Sequence, residues 1–179
     1  PAVEVGASRF HQLFHRRSAG MTDPAHGTVR ISAHEAMTGF LAVHLPRLRH
    51  NLQCVEFELS ANHMLANLSR READLLIRDQ VPELAGIVTR KLCYVAYAVY
   101  AARKLALKPT SMSALIDQPW IGFDDEHSYM PGQHWLQEQI GRRPEIRVNN
   151  WLVLHDAVRV GSGLAVLPCY LADQDPALH

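Results

Sequence analysis

The sequence predicts an α/β fold of two lobes with a cleft between them. Residues 27–79 and 111–168 each alternate strand-type and helix-type apolar patterns. An uncharged run at 92–101 joins them and is long enough to pass from one sheet into another. Repeated β–α alternation is typical of parallel sheets with covering helices. Each stretch is therefore expected to form one lobe.

The first lobe is predicted to run as βαβαβ. A strand at 29–32 precedes a helix, because apolar residues from Phe40 to Leu52 recur at helical spacing, with a kink expected at Pro46. A second strand follows at 55–59, and Asn62 is a candidate N-cap for the next helix. The short unbroken apolar run at 75–77 is typical of a central parallel strand buried on both faces.

The second lobe repeats the alternation. Strands are predicted at 120–123, around Ile146 and Val148, and at 164–167. The helices between them have their own end signals: Gly141 closes the first, and Asn150 caps a second that buries Leu154, Ala157 and Val158. The pattern "GSGLAV" at 161–166 follows a helix and enters a strand, the wrong order for a phosphate-binding loop.

The N-terminal 26 residues are interpreted as a separate piece. Val3, Phe10, Leu13 and Phe14 fit a narrow apolar seam on a helix, and residues 18–27 form a linker rich in Gly and Pro. Such a seam usually packs against another helix or a second copy of the chain. A helix folded back on the main body is the alternative.

Composition excludes several classes of protein. The 179 residues carry 18 basic and 18 acidic side chains, so a strongly basic nucleic-acid surface over this whole chain is not expected. We expect no membrane span and no secretory signal, since the chain has no apolar run of about 20 residues and does not open like a signal peptide. The three cysteines form no CxxC pair, which favours a reducing compartment.

Catalytic and metal motifs are mostly excluded. His34 and Glu35 begin a zinc-protease-like pattern, but Thr38 replaces the second His, and no metal or other cofactor is predicted. The carboxylates at 124–126 could support acid–base chemistry if one had a raised pKa. More often such residues lie on a solvated edge. Binding of a small molecule is therefore favoured over catalysis.

In open parallel sheets, ligands bind beyond the carboxyl ends of the strands. Those ends are predicted at 33–38, 60–62, 78–79, 124–129 and 149–150. Arg78 and Asp79 follow the buried run at 75–77 directly. They could merely solvate the strand exit, or Arg78 could bind an anionic group of the ligand or pair with Glu35.

Four ordered segments resemble the effector-binding domain of LysR-type transcriptional regulators. They are "GTVRISA" from residue 27, "FLAVHLPRLRHN" from 40, "FELSANHMLANLSRREADLLIRD" from 57 and "NNWLVLHDAVRVGSGLAVLPCYLA" from 149. The resemblance spans 27–172. It implies the type II periplasmic-binding-protein fold: two α/β lobes, a hinge and an inducer cleft.

The resemblance also implies a cytoplasmic sensor that works as a homodimer or tetramer. Promoter DNA would be bound through an N-terminal helix-turn-helix outside these residues, and RNA polymerase is a further partner. It implies a linker helix and a linker over 1–26, lobe I over 27–90, lobe II over 91–168 and the start of a return to lobe I at 169–179. A last strand and helix of lobe I would follow His179.

The resemblance and the strand ends together predict the ligand contacts. They are His34, Glu35, Met37, Thr38, Ser60, Ala61, Asn62, Arg78, Asp79, Asp124, Asp125, His127, Ser128, Asn149 and Asn150. Glu35 stands where the family often has a small hydroxyl residue, which admits a cationic or zwitterionic ligand. Two alternatives remain: a solute-binding protein of the same fold, and an enzyme acting through Asp124 or Asp125.

Overall fold

The computed structural model describes residues 2–8, 27–62, 73–79, 87–107 and 111–179. The chain forms two compact units, Pro1–Tyr94 and Val95–His179. Both mix strands and helices, so the predicted α/β class is confirmed.

The first unit is built on a five-stranded sheet with the order β3-β2-β4-β1-β5. Its strands are β1 (Ala2–Ser8), β2 (Gly27–Ala33), β3 (Val55–Ala61), β4 (Leu75–Arg78) and β5 (Ile87–Tyr94). β2 pairs in parallel with β3 and with β4, whereas β1 is antiparallel to both β4 and β5. The carboxyl ends of β2, β3 and β4 therefore lie at one edge of the sheet.

β4 is central, as its apolar run predicts, but it is parallel only to β2 and antiparallel to β1. It lies between β2 and β1, and Leu76 and Ile77 are buried. Its start is fixed by Asp74, whose carboxylate accepts a hydrogen bond from the Arg30 amide at 2.8 Å. The Asp74 amide in turn donates to the Arg30 carbonyl oxygen at 2.8 Å. This reciprocal pair sets the register between β2 and β4.

A 17-residue helix, α1 (Glu35–Asn51), connects β2 to β3 and packs on both strands. It continues through Pro46, which is exposed. Its buried residues are Ala36 and Met37 in the first turn, while Val43, Leu48 and Leu52 are exposed. The predicted helix after Asn62 lies outside the described residues.

The prediction of a helix at the N-terminus was wrong for residues 2–8, which form β1 inside the sheet. Val3 and Val5 alternate with Glu4 and Gly6, and this two-residue period fits a strand. The helical seam depended on Phe10, Leu13 and Phe14, which lie outside the described residues.

The uncharged run at 92–101 does not form one strand. β5 ends at Tyr94, and a separate strand, β6 (Tyr97–Tyr100), follows in the second unit. The two strands belong to different sheets, because β6 pairs antiparallel with β9 (Ala165–Pro168). The expected passage from one sheet to another is therefore present, with a break at residues 95–96.

The second unit adds a parallel pair, β7 (Ile121–Phe123) and β8 (Ile146–Val148). Its helices are α2 (Gln133–Ile140), α3 (Trp151–Arg159) and α4 (Cys169–Ala172), and 3₁₀ turns cover Arg103–Leu105, Met112–Ala114 and Asp125–His127. Trp120, Leu136, Leu154 and Leu167 are fully buried between these elements. They form a core that belongs to this unit.

Close packing at the end of α3 requires glycine. Gly161 follows the helix with a left-handed φ of 77°, as its predicted role at the helix end demands. A Cβ on Gly163 would lie 2.7 Å from the Pro119 carbonyl oxygen, so only glycine lets the two segments approach. Leu164 then bridges Trp120 in parallel.

The last residues stay in the second unit. Residues 169–179, predicted to begin a return to the first lobe, pack within Val95–His179. The His179 amide and carbonyl oxygen bond to Ala101 at 3.1 and 3.0 Å, and Leu178 bridges Ala102. The buried Tyr100 hydroxyl donates to the Asp173 carboxylate at 2.5 Å.

Candidate functional site

The first unit gathers several predicted contact residues at the carboxyl ends of β2, β3 and β4. The Asn62 amide donates to the Ala33 carbonyl oxygen at 2.8 Å, which ties the segment after β3 to the end of β2. Ser60, Ala61 and Asn62 are exposed along this edge. The edge thus has the position that open parallel sheets use for ligands.

Arg78 is turned into the protein at this edge. Its side chain is 7% exposed. Nη1 donates to the carbonyl oxygens of Ser32 at 2.9 Å and Ile77 at 2.8 Å. Nη2 donates to Ser32 Oγ at 3.1 Å and to the Asn62 carbonyl oxygen at 2.9 Å. Because it is buried, Arg78 does not solvate the strand exit.

His34 caps α1 with its ring. Its Nδ1 accepts a long hydrogen bond of 3.4 Å from the Met37 amide, and its Nε2 lies 3.5 Å from Asp79 Oδ2. An accepting Nδ1 requires the proton on Nε2, which then faces the carboxylate. Thr38 points back to the end of β2, with Oγ1 at 3.0 Å from the His34 carbonyl oxygen and 3.2 Å from that of Ala33.

The first turn of α1 is therefore a poor binding site for an anion. A free helix N-terminus attracts anions through its unpaired amides and its positive dipole end. Here His34 occupies the Met37 amide, and the carboxylate of Glu35 lies in the same turn, half-buried. At this turn the geometry favours a ligand group that is cationic or donates hydrogen bonds over a carboxylate.

In the second unit, Asp124 caps the turn that contains His127. It accepts from the His127 amide at 3.0 Å and from His127 Nδ1 at 2.6 Å. The hydrogen bond with the His127 side chain lowers the pKa of Asp124 below its ordinary value. A general acid at neutral pH needs a raised carboxyl pKa. The direction of this shift argues against Asp124 in that role.

The remaining predicted residues of the second unit divide between exposed and structural positions. The Asp125 carboxylate lies 3.2 Å from Arg143 and 3.6 Å from Arg147, in exposed ion pairs. Ser128 and Asn149 are exposed. Asn150 instead caps α3, accepting from the amides of Leu152 at 2.8 Å and Val153 at 3.3 Å.

Sequence reasoning missed two buried polar residues at these edges. Ser32 is 1% exposed and gives Arg78 two acceptors. Gln133 is also 1% exposed, and its Oε1 accepts from the Phe123 amide at 2.8 Å. Gly122 leaves room for that carboxamide, since a Cβ there would lie 2.8 Å from Gln133 Oε1. No sequence signal marked Ser32, because it continues the polar alternation of Thr28 and Arg30 along β2.

Across the described residues, no cluster of three or more His, Cys, Asp or Glu side chains could hold a metal ion. The same part of the chain contains no helix that is both long and apolar enough to span a membrane.

Comparison with known proteins shows which family the chain matches. The family model described as "LysR substrate binding domain" matches residues 22–179. A search of curated protein sequences finds no significant match.

Solved structures of LysR-type regulators share the fold. The regulatory domain of CrgA from Neisseria meningitidis is 20% identical with a TM-score of 0.72, and the alignment covers 87% of this chain and 80% of that one. The effector domain of AmpR from Pseudomonas aeruginosa is 17% identical with a TM-score of 0.68, covering 87% and 77%. Against another CrgA structure, at 20% identity and a TM-score of 0.73, 95% of this chain aligns with only 63% of that one.

Proposed function

Because the chain belongs to the LysR substrate-binding domain family, we propose that it is the effector-sensing domain of a LysR-type transcriptional regulator. The observation that carries the proposal is the convergence of polar residues at the carboxyl ends of β2, β3 and β4. A small-molecule effector would bind there. The solute-binding alternative has the same fold, but the family is one of regulator domains.

The partners of the whole protein are part of this proposal. The chain aligns with 63% of one of the CrgA structures, so a LysR-type regulator can be longer than these residues. DNA binding would reside in a helix-turn-helix outside them, with assembly as a homodimer or tetramer in the cytoplasm. RNA polymerase would respond to the effector-dependent state of that assembly.

The contacts we propose in the first unit are those that stay accessible at the edge. Glu35 is half-buried in the first turn of α1, and Ser60, Ala61 and Asn62 are exposed. The proposed contacts of the second unit are Asp125, Ser128 and Asn149. The capped first turn and the Glu35 carboxylate favour an effector with a cationic or hydrogen-bond-donating group, so a zwitterion fits better than a simple acid.

The test is a thermal-shift screen of the full-length protein against matched sets of cationic, zwitterionic and anionic metabolites. A ligand present at 100 times its Kd stabilises the folded state by about 2.7 kcal/mol, which corresponds to a Tm rise of roughly 5–10 °C. Glu35→Gln should remove most of that rise for a cationic or zwitterionic hit. Glu56→Gln, the same change on exposed β3, should retain it.

The possible outcomes distinguish an error in the proposed function from an error in the proposed binding site. If no metabolite raises the Tm of the wild-type protein, the sensing function is contradicted. A hit that binds Glu35→Gln as tightly as the wild type would place the site elsewhere. A preference for anions would overturn the proposed effector chemistry.

A further inference from the structure

We propose that Arg78 is a positioning residue, which holds the carboxyl ends of β2, β3 and β4 in one arrangement and does not itself contact the effector. The inference rests on the proposed function only in taking this edge as the binding site. The bonding of the guanidinium and its burial carry the rest.

The hydrogen atoms on both Nη atoms of Arg78 are already used. A guanidinium has five N–H donors, four of them on the two Nη atoms. The structure directs these four to the carbonyl oxygens of Ser32, Ile77 and Asn62 and to Ser32 Oγ, at 2.8–3.1 Å. A carboxylate could reach this fork only by displacing these acceptors, which would leave polar groups buried without partners.

The four acceptors lie at the ends of three different strands. Ser32 precedes the last residue of β2, Asn62 follows β3, and Ile77 precedes Arg78 in β4. Arg78 is 46 residues from Ser32 and 16 from Asn62 along the chain. A planar, rigid fork can reach acceptors on several segments at once, whereas the single ammonium of a lysine cannot match that geometry.

The bonds extend from Arg78 to the residues that would contact the effector. Asn62 is held on both sides, since its carbonyl oxygen accepts from Arg78 and its amide donates to Ala33. Ala33 leads into His34, the cap of α1, and His34 Nε2 lies 3.5 Å from Asp79, the residue after Arg78. Loss of the guanidinium would therefore make the segments after β2, β3 and β4 more mobile together. Every side chain that faces the ligand would still be present.

Burial separates this role from simple core filling. A charged group that is 7% exposed is costly unless its donors are satisfied, and an apolar residue would fill the same volume more cheaply. The preceding residues of β4 are apolar, as core filling requires. Arginine at the last position of the strand is explained by the acceptors it reaches.

The experiment is residue-resolved amide hydrogen exchange on the complete chain without any effector. In Arg78→Lys, exchange at residues 33–38 and 61–62 should rise by roughly tenfold or more, because Ser32 and Asn62 lose charge-assisted bonds that anchor the segment from Ala33 into α1 and the end of β3. Exchange at Val29 and Phe57, which pair farther along the same sheet, and in the strands of the second unit should change less than about twofold. Arg30→Lys, which alters an exposed pair with Glu58 on the same sheet, is the matched control and should leave all these amides unchanged.

Two further measurements complete the test. In Arg78→Ala, millimolar methylguanidinium should restore slow exchange at 61–62; if this variant does not fold, Arg78→Lys alone decides. In the wild-type protein, NMR signals of the Arg78 side chain should not move on titration with benzoate or inorganic phosphate. Unchanged exchange at the strand ends, or a uniform rise across the first unit, would overturn the positioning role. A saturable anion-induced shift at Arg78 would overturn the claim that it makes no ligand contact.

Because no effector is used, failure of the metabolite screen would leave this result standing. Conversely, a loss of the positioning role would not contradict effector sensing by the domain.

Discussion

Tyr100 illustrates how a single buried hydroxyl stabilises the second unit. It ends β6 with 7% exposure, and its hydroxyl donates to Asp173 just after α4. Burial, and then the hydrogen bond to Asp173, raise the pKa of Tyr100 far above the ordinary tyrosine value. A phenol with a raised folded pKa contributes stability that is complete below the unfolded pKa of about 10 and is lost as the pH rises above it.

Tyr100→Phe should therefore destabilise the protein at neutral pH. It should also make the free energy of unfolding fall less steeply as the pH rises into the alkaline range. Loss of one hydrogen bond to a partly solvated carboxylate should lower the free energy of unfolding at pH 7 by about 1 kcal/mol. Between about pH 10 and 12, the wild-type protein should lose stability more steeply than the variant. Urea unfolding followed by tryptophan fluorescence at each pH measures both effects. Tyr129→Phe, with an exposed ring, is the control and should match the wild type.

Single-residue roles were the hardest to predict from sequence. The position of Arg78 at a strand exit was predictable, but its direction was not, because its acceptors at Ser32 and Asn62 are distant in sequence. Asp74 fixes the register of β4 against β2 through its bonds to Arg30, which is 44 residues away in sequence. Which partner a polar side chain selects depends on the fold around it.

Local patterns at the level of elements were better guides. α3 has the predicted cap at Asn150 and buries Leu154 and Val158, because cap chemistry and helical spacing are both local signals. β4 was predictable from three consecutive apolar residues. β1 was wrongly predicted to be helical. The aromatic residues after it fit a helical spacing, and that pattern was given more weight than the two-residue alternation of small apolar side chains within β1.

The cap of α3 provides a matched pair of substitutions. Asn150→Ala removes the acceptor for the amides of Leu152 and Val153, and should cost about 1 kcal/mol of stability. Asn149→Ala changes an exposed neighbour that is not the cap, and should fall within about 0.5 kcal/mol of the wild type. Thermal unfolding of the three proteins measures the difference. Equal losses for both variants would contradict the capping role.

At the scale of the whole molecule, the order of weak local patterns predicted the fold better than any one of them. Each motif alone is compatible with many proteins, but their sequence of strand ends, caps and glycines over 27–172 indicated the family that the comparison confirms. The division of the chain was less predictable. The uncharged run at 92–101 contains a break between two sheets that composition does not mark.

The second unit should fold by itself as Val95–His179. Its strands pair with one another, and its core of Trp120, Leu136, Leu154 and Leu167 is drawn from its own elements. A fragment of this size should have a free energy of unfolding of about 4–12 kcal/mol. All three tryptophans of the chain lie within it, so their fluorescence should report a cooperative urea transition.

Two substitutions on one helix test whether that transition reflects this core. Leu154→Ala leaves a cavity at a fully buried position and should cost about 2–5 kcal/mol. Leu152→Ala, at a position 44% exposed on the same helix, should cost less than about 1 kcal/mol. A fragment with solvent-exposed tryptophan emission and no cooperative transition would show that these contacts are insufficient. Equal sensitivity at both leucines would show that the fragment collapses without the packing seen in the structure, because only specific packing distinguishes the two faces of α3.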